Sequence, residues 1–185
     1  MEKLAQAISG IFSPVVESLA IIWLATNMNI TFLGWTKVFC LSVFFLFLLP
    51  YGFFLYLRKS KKISDNDISK RGERHRFNIF TFFSIVLFLA IMFFFNEKAL
   101  VFFYIRLLMP FLIYIIITFF WKISGHMVVN SIFVQLVYFY TKNPLLLLLG
   151  IFVLFLVAWS RVYLKKHTLA QVVAGLILPL IILIF

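Results

Sequence analysis

The sequence predicts an all-α fold: a polytopic transmembrane bundle of about six or seven helices, forming one integral membrane domain over residues 1–185. Three observations carry this. First, hydrophobic residues make up 64% of the chain and charged residues 12%, so a soluble fold of 185 residues would carry a largely apolar surface. Second, apolar runs of the ~20 residues needed to cross a ~30 Å hydrocarbon core recur along the chain. Third, the basic residues cluster between those runs. Only helices and closed barrels satisfy backbone hydrogen bonds in lipid, and runs this long and continuous are not alternating strands.

The first run, about 8–28, contains Pro14 and Glu17 and is followed by no small-residue cleavage site. It reads as the first membrane helix rather than a signal peptide. Further runs cover about 36–57, 78–95, 99–121, 127–141, 145–163 and 168–185. The fifth is short, which suits a tilted or partly interfacial helix. One long polar loop, Arg58–Arg76, reads RKSKKISDNDISKRGERHR; the other connections are only a few residues. His75 falls in this loop and reads as a solvated residue. Cys40 is the only cysteine, which excludes an internal disulfide and a cysteine metal cluster. Arg106 and Glu17 are charges inside apolar runs, and Arg106 can snorkel to the nearer interface.

The formal net charge is +11. No nucleic-acid motif accompanies it, so the bilayer and an anionic lipid are the expected partners, with no nucleic acid. With seven crossings, the N-terminus, the long loop, Lys122 and the Arg161–His167 segment share one face. That face carries thirteen Lys and Arg, against three opposite: Lys37, Lys98 and Lys142. The positive-inside rule assigns the richer face to the cytoplasm.

Three stretches on this face hold the polar groups a lipid-embedded bundle otherwise avoids: DISKRGER ending at Arg74, KISGH ending at His126, and SRVYLKKH from Ser160 to His167, with Gln171 and Gly175 beyond. Ser124 and Gly125 stand just before an apolar helix, where free N–H groups and the helix dipole favour an anion. Arg161 and Arg74 can make forked bonds to phosphate oxygens. Neutral imidazole is a competent nucleophile toward phosphorus, and a second imidazole can protonate the leaving oxygen. No cluster of Asp, Glu, His or Cys has metal-ligand spacing on this face, so no metal or other cofactor is expected.

These stretches, over about residues 67–175, resemble the three signature segments of the type 2 phosphatidic acid phosphatase family, KxxxxxxRP, PSGH and SRxxxxxHxxxD. Ser160, Arg161 and His167 fall at the family spacing, and Ser124-Gly125-His126 match the second segment with Ile123 in place of Pro. In the first, Arg74 fits the arginine and Asp67 takes the lysine position. The resemblance implies a membrane-embedded hydrolase of a lipid phosphate or polyprenyl diphosphate. His167 would be the nucleophile and His126 the general acid. Ser124, Gly125, Arg74 and Arg161 would hold phosphate, with Lys70 or Arg71 supplying the missing first-segment cation. Gln171 stands where the family has an Asp that orients the nucleophile. The resemblance also suggests the bacterial inner membrane, where many similar members work on the outer face, against the charge count. The competing expectation is a non-enzymatic lipid-binding or assembly protein on a degraded phosphatase scaffold.

Overall fold

The computed structural model describes residues 1–28 and 33–183. Regular structure among the described residues is helical: α1 (Glu2–Ile11), α2 (Pro14–Met28), α3 (Trp35–Val43), a π-helical turn (Phe44–Leu48), α4 (Leu49–Lys59), α5 (Arg71–Phe94), α6 (Lys98–Phe120), α7 (Gly125–Thr141), α8 (Pro144–Tyr163) and α9 (Leu169–Leu183). Among the described residues, five stretches are long and apolar enough to cross a membrane: Glu2–Asn27, Trp35–Lys59, Arg71–Phe94, Lys98–Phe120 and Pro144–Tyr163. The chain is an integral membrane protein. Its outward aromatic side chains need lipid around them, with Phe94 83% and Phe120 79% exposed. Helix α7, at 17 residues, is about 25 Å long. Helix α9 contributes a shorter apolar stretch, Leu169–Leu180.

The apolar runs and the helices differ in three places. The run 8–28 is two helices, broken after Ile11, with Pro14 opening α2 where its missing N–H costs nothing. The run 36–57 is interrupted by the π-helical turn. Helix α5 begins at Arg71, about two turns before its apolar run. Arg71, Arg74 and Arg76 are therefore helical, and the loop shrinks to residues 60–70. Apolarity marks what lies at lipid depth, whereas a helix rich in Arg and Glu continues past the hydrocarbon. His75 accordingly sits on α5, stacked on Phe119 with ring centroids 4.3 Å apart, rather than in a solvated loop.

The described residues form two compact units, one of residues 1–24 and 122–185, the other of residues 25–121. In the first, α1 packs on α8, and α7 packs on both α8 and α9. Ile8, Met127, Val157 and Val172 form its core. In the second, α5 packs along α6 and α4. Val38, Phe88, Met92 and Leu100 are buried there, and Leu57, Ile63 and Ile68 pin the polar loop to the helices. Arg106 is exposed on α6, about two turns from its start, as snorkelling requires.

Helix ends in this second unit satisfy their own carbonyls. After α4, Lys61 takes a left-handed conformation (φ 55°), so that Lys62 N–H reaches Leu57 O and Lys61 N–H reaches Arg58 O. After α5, Asn96 (φ 62°) does the same, with Glu97 N–H on Met92 O and Asn96 N–H on Phe93 O. Both are Schellman turns. Glu97 then turns its Oε1 to the backbone N–H of Leu33 at 2.5 Å.

The π-helical turn follows from Pro50. Within it, Leu49 N–H bonds Phe44 O, five residues back. The next donor in that register would be residue 50, which has no N–H, so Phe45 O is left over. The Ser84 hydroxyl of α5 donates to Phe45 O. Ser84→Ala should therefore lower unfolding stability in detergent by roughly 1 kcal/mol. In a Pro50→Ala background, where a backbone N–H returns, the same substitution should cost markedly less. Equal losses in both backgrounds, measured by thermal unfolding, would refute this origin for the turn.

Candidate functional site

Six of the nine residues singled out in the sequence lie in the first unit, at the end where α8 finishes and α7 and α9 begin. Hydrogen bonds to backbone carbonyls bring these segments together. Ser124 N–H donates to Gln171 O at 3.1 Å, tying the entry of α7 to α9. The Lys122 ammonium donates to Lys166 O at 2.7 Å, tying the same entry to the end of α8. Gly175 permits the first approach. A Cβ on it would stand 2.7 Å from Ser124 O and 3.0 Å from Met127 Cβ.

The spacing from Arg161 to His167 has a local cause. Helix α8 ends at Tyr163 in a further Schellman turn, with Lys165 left-handed (φ 52°), Lys166 N–H on Arg161 O and Lys165 N–H on Val162 O. His167 N–H also points at Arg161 O, at 3.3 Å. One turn thus places arginine and histidine on either side of the same carbonyl. Both are buried, Arg161 at 1% exposure and His167 at 6%.

Helix α9 starts with a capping box. Thr168 Oγ1 accepts from Gln171 N–H at 3.4 Å, and Gln171 Oε1 accepts from Thr168 N–H at 3.2 Å. That second bond identifies the Gln171 atom as the amide oxygen, since a backbone N–H can only donate. The same Oε1 lies 3.2 Å from His167 Nδ1. An oxygen there makes Nδ1 the donor, so the neutral ring carries its lone pair on Nε2.

Helix α7 is capped by Ser124, whose Oγ accepts from Met127 N–H at 3.5 Å. Gly125 opens the helix, and His126 lies in its first turn, 8% exposed. The His126 Nε2 stands 3.5 Å from the hydroxyl of Ser9. An Arg161 N–H donates to that same hydroxyl at 2.5 Å. Ser9 on α1 therefore joins arginine and histidine, and the sequence motifs did not mark it. Its signal was periodicity: Ala5, Ile8 and Ser9 make one buried helical face. Asn130 donates to His126 O at 2.8 Å and to Phe12 O at 3.0 Å, fixing the first turn of α7 and the end of α1.

The remaining three residues open α5, in the second unit. Lys70 is its N-cap and pairs with Glu73 at 3.6 Å on the surface. Arg71 donates to Phe120 O at the end of α6. Arg74 is buried, with Nε on Ile68 O at 2.8 Å and an Nη on the Tyr114 hydroxyl at 3.3 Å. No group of three His, Cys, Asp or Glu that could hold a metal occurs among the described residues. No family model, characterised protein or solved structure matches the chain.

The close approach at Gly175 gives a direct test of this architecture. Gly175→Val should destabilise the protein by roughly 1–3 kcal/mol, because backbone and not a flexible side chain must give way. Gly10, with nothing within 4 Å of its added Cβ, is the control position. Equal thermal stability of Gly175→Val and Gly10→Ala would contradict the packing described.

Proposed function

We propose that the chain is a membrane phosphatase that hydrolyses a lipid phosphate or polyprenyl diphosphate through a phosphohistidine on His167. The observation that carries the proposal is the pair of bonds to Gln171 Oε1. They support a His167 ring with Nδ1 protonated, the neutral tautomer whose lone pair lies on Nε2. Arg161, fixed on the other side of the same turn, supports the reading as the cation for the phosphate oxygens.

In the first step the Nε2 lone pair attacks phosphorus and the bond to the lipid oxygen breaks. His126 gives that oxygen its proton, and the lipid alcohol leaves. In the second step water attacks phosphorus, His126 takes a proton from it, and the nitrogen–phosphorus bond breaks to restore neutral His167. Ser124, Gly125 and the first N–H groups of α7 favour the anion. Arg161 meets the charge that develops on the transferred group. Ser9, bridging Arg161 and His126, is a positioning residue. Arg74, with Lys70 or Arg71, enters the proposal from the sequence pattern as a further phosphate-binding group. The charge count supports a cytoplasmic site, and the bacterial inner membrane rests on the resemblance alone.

Gln171 lacks the negative charge that would stabilise an imidazolium, and this favours the rival reading of a lipid-binding protein without turnover. Phosphate release from a panel of purified lipid phosphates, with EDTA present, separates the two. The proposal expects turnover that vanadate inhibits. Loss in His167→Ala should exceed about 10³-fold, and Arg161→Ala or Arg74→Ala should cost about 10²–10³-fold. His167→Ala turning over at the normal rate, or no release from any lipid, would reject it.

A further inference from the structure

Outside this site, the face between α4 and α5 holds an open groove of about 560 Å³. We propose that it is a binding site for an anionic phospholipid of the bilayer, its head group held by Lys62 and Arg76 and an acyl chain lying along the aromatic floor. The proposal does not depend on the phosphatase reading.

The floor comes from Phe53 on α4 and Phe80 on α5, whose rings stack at 4.0 Å between centroids. Phe83, 63% exposed, extends it along α5. Arg76 and Phe83 lie about two helical turns apart, so the floor runs roughly 10 Å from the cation into the apolar part of the helix. This is the depth profile of a lipid: charge at the loop end, hydrocarbon below.

The two cations reach the cleft for different reasons. Lys62 follows the left-handed Lys61, and its N–H is locked on Leu57 O by the Schellman turn that ends α4. That reversal lays its ammonium over the Tyr56 ring, 5.1 Å from the centroid and 3.4 Å from the hydroxyl. Arg76 sits in the second turn of α5 and is exposed, with no hydrogen-bond or ion-pair partner among the described residues. Among the described residues neither cation forms an ion pair with a carboxylate, and Glu73, the nearest acid along α5, is engaged by Lys70 and Ser64. Two uncompensated positive charges above an apolar floor complement an amphiphile with a negative head. A zwitterionic lipid would bring a second cation to them, and a free anion would leave the floor without an occupant. Each basic residue near a membrane surface contributes roughly fivefold in affinity for anionic lipid.

The test is native mass spectrometry of the full chain in detergent, titrated with phosphatidylglycerol or with phosphatidylcholine of the same chains. The wild type should retain phosphatidylglycerol roughly 25-fold better, about fivefold for each of the two cations. Lys62→Ala/Arg76→Ala should remove that preference, and Arg58→Ala/Lys59→Ala, two exposed cations of the same region, should keep it. All four residues are exposed, and the elution profile in size exclusion checks that the variants fold. The proposal is overturned if the wild type retains both lipids equally, or retains neither. It is also overturned if both double variants lose the preference alike, which would mean diffuse surface charge. Displacement of the lipid by inorganic phosphate at equal concentration would overturn it too, since the anion alone would then be the ligand.

Discussion

A helix end or a proline releases carbonyls that need a donor, and within hydrocarbon, where no water is at hand, only the protein can supply it. That requirement accounts for much of what is irregular here. Left-handed residues close α4, α5 and α8 so that the following N–H groups turn back on the last carbonyls. The Ser84 hydroxyl serves Phe45 O where Pro50 has no N–H. The Asn130 amide serves Phe12 O where the chain breaks between α1 and α2. Side chains that look isolated in an apolar sequence are, at these places, substitutes for missing backbone donors.

The candidate site uses the same devices. A Schellman turn that closes α8 sets Arg161 and His167 about one carbonyl, and the capping box that opens α9 presents Gln171 Oε1 to His167 Nδ1. The residues proposed for chemistry are held by the hydrogen bonds that end one helix and begin the next. A glutamine suits this double duty, because one amide oxygen accepts from both the Thr168 backbone and the imidazole. It orients the His167 ring but supplies no balancing charge. In the proposed mechanism the positive charge formed on phosphoryl transfer is then offset by the phosphoryl group itself.

Much of this could be read from the residues. Mean apolarity and run length mark the helices, since lipid contact demands both, and the spacing of Arg161 and His167 marks a turn where chemistry could sit. Helix boundaries are less legible. The start of α5 at Arg71 is hidden because its first two turns are charged, and the break before Pro14 is hidden because both halves are apolar. Ser9 is the clearest omission. Helical periodicity puts it on the buried face with Ala5 and Ile8, but its partners are set by the packing of α1 on α8, which turns it toward Arg161 and His126. Lys62 and Arg76 fall within the polar stretch Arg58–Arg76, and a linear sequence does not reveal that both border one apolar groove.

The proposed chemistry depends on which nitrogen of His167 attacks phosphorus. Rapid acid-free quenching of the protein during turnover of a lipid phosphate, followed by phosphorus NMR and peptide mapping, reads the position of the phosphoryl group. With Nδ1 committed to Gln171, the phosphoryl group should be found on Nε2 of His167, as a species stable to base and labile to acid. A phosphoryl group on Nδ1, on His126, or on no histidine at all would contradict the account.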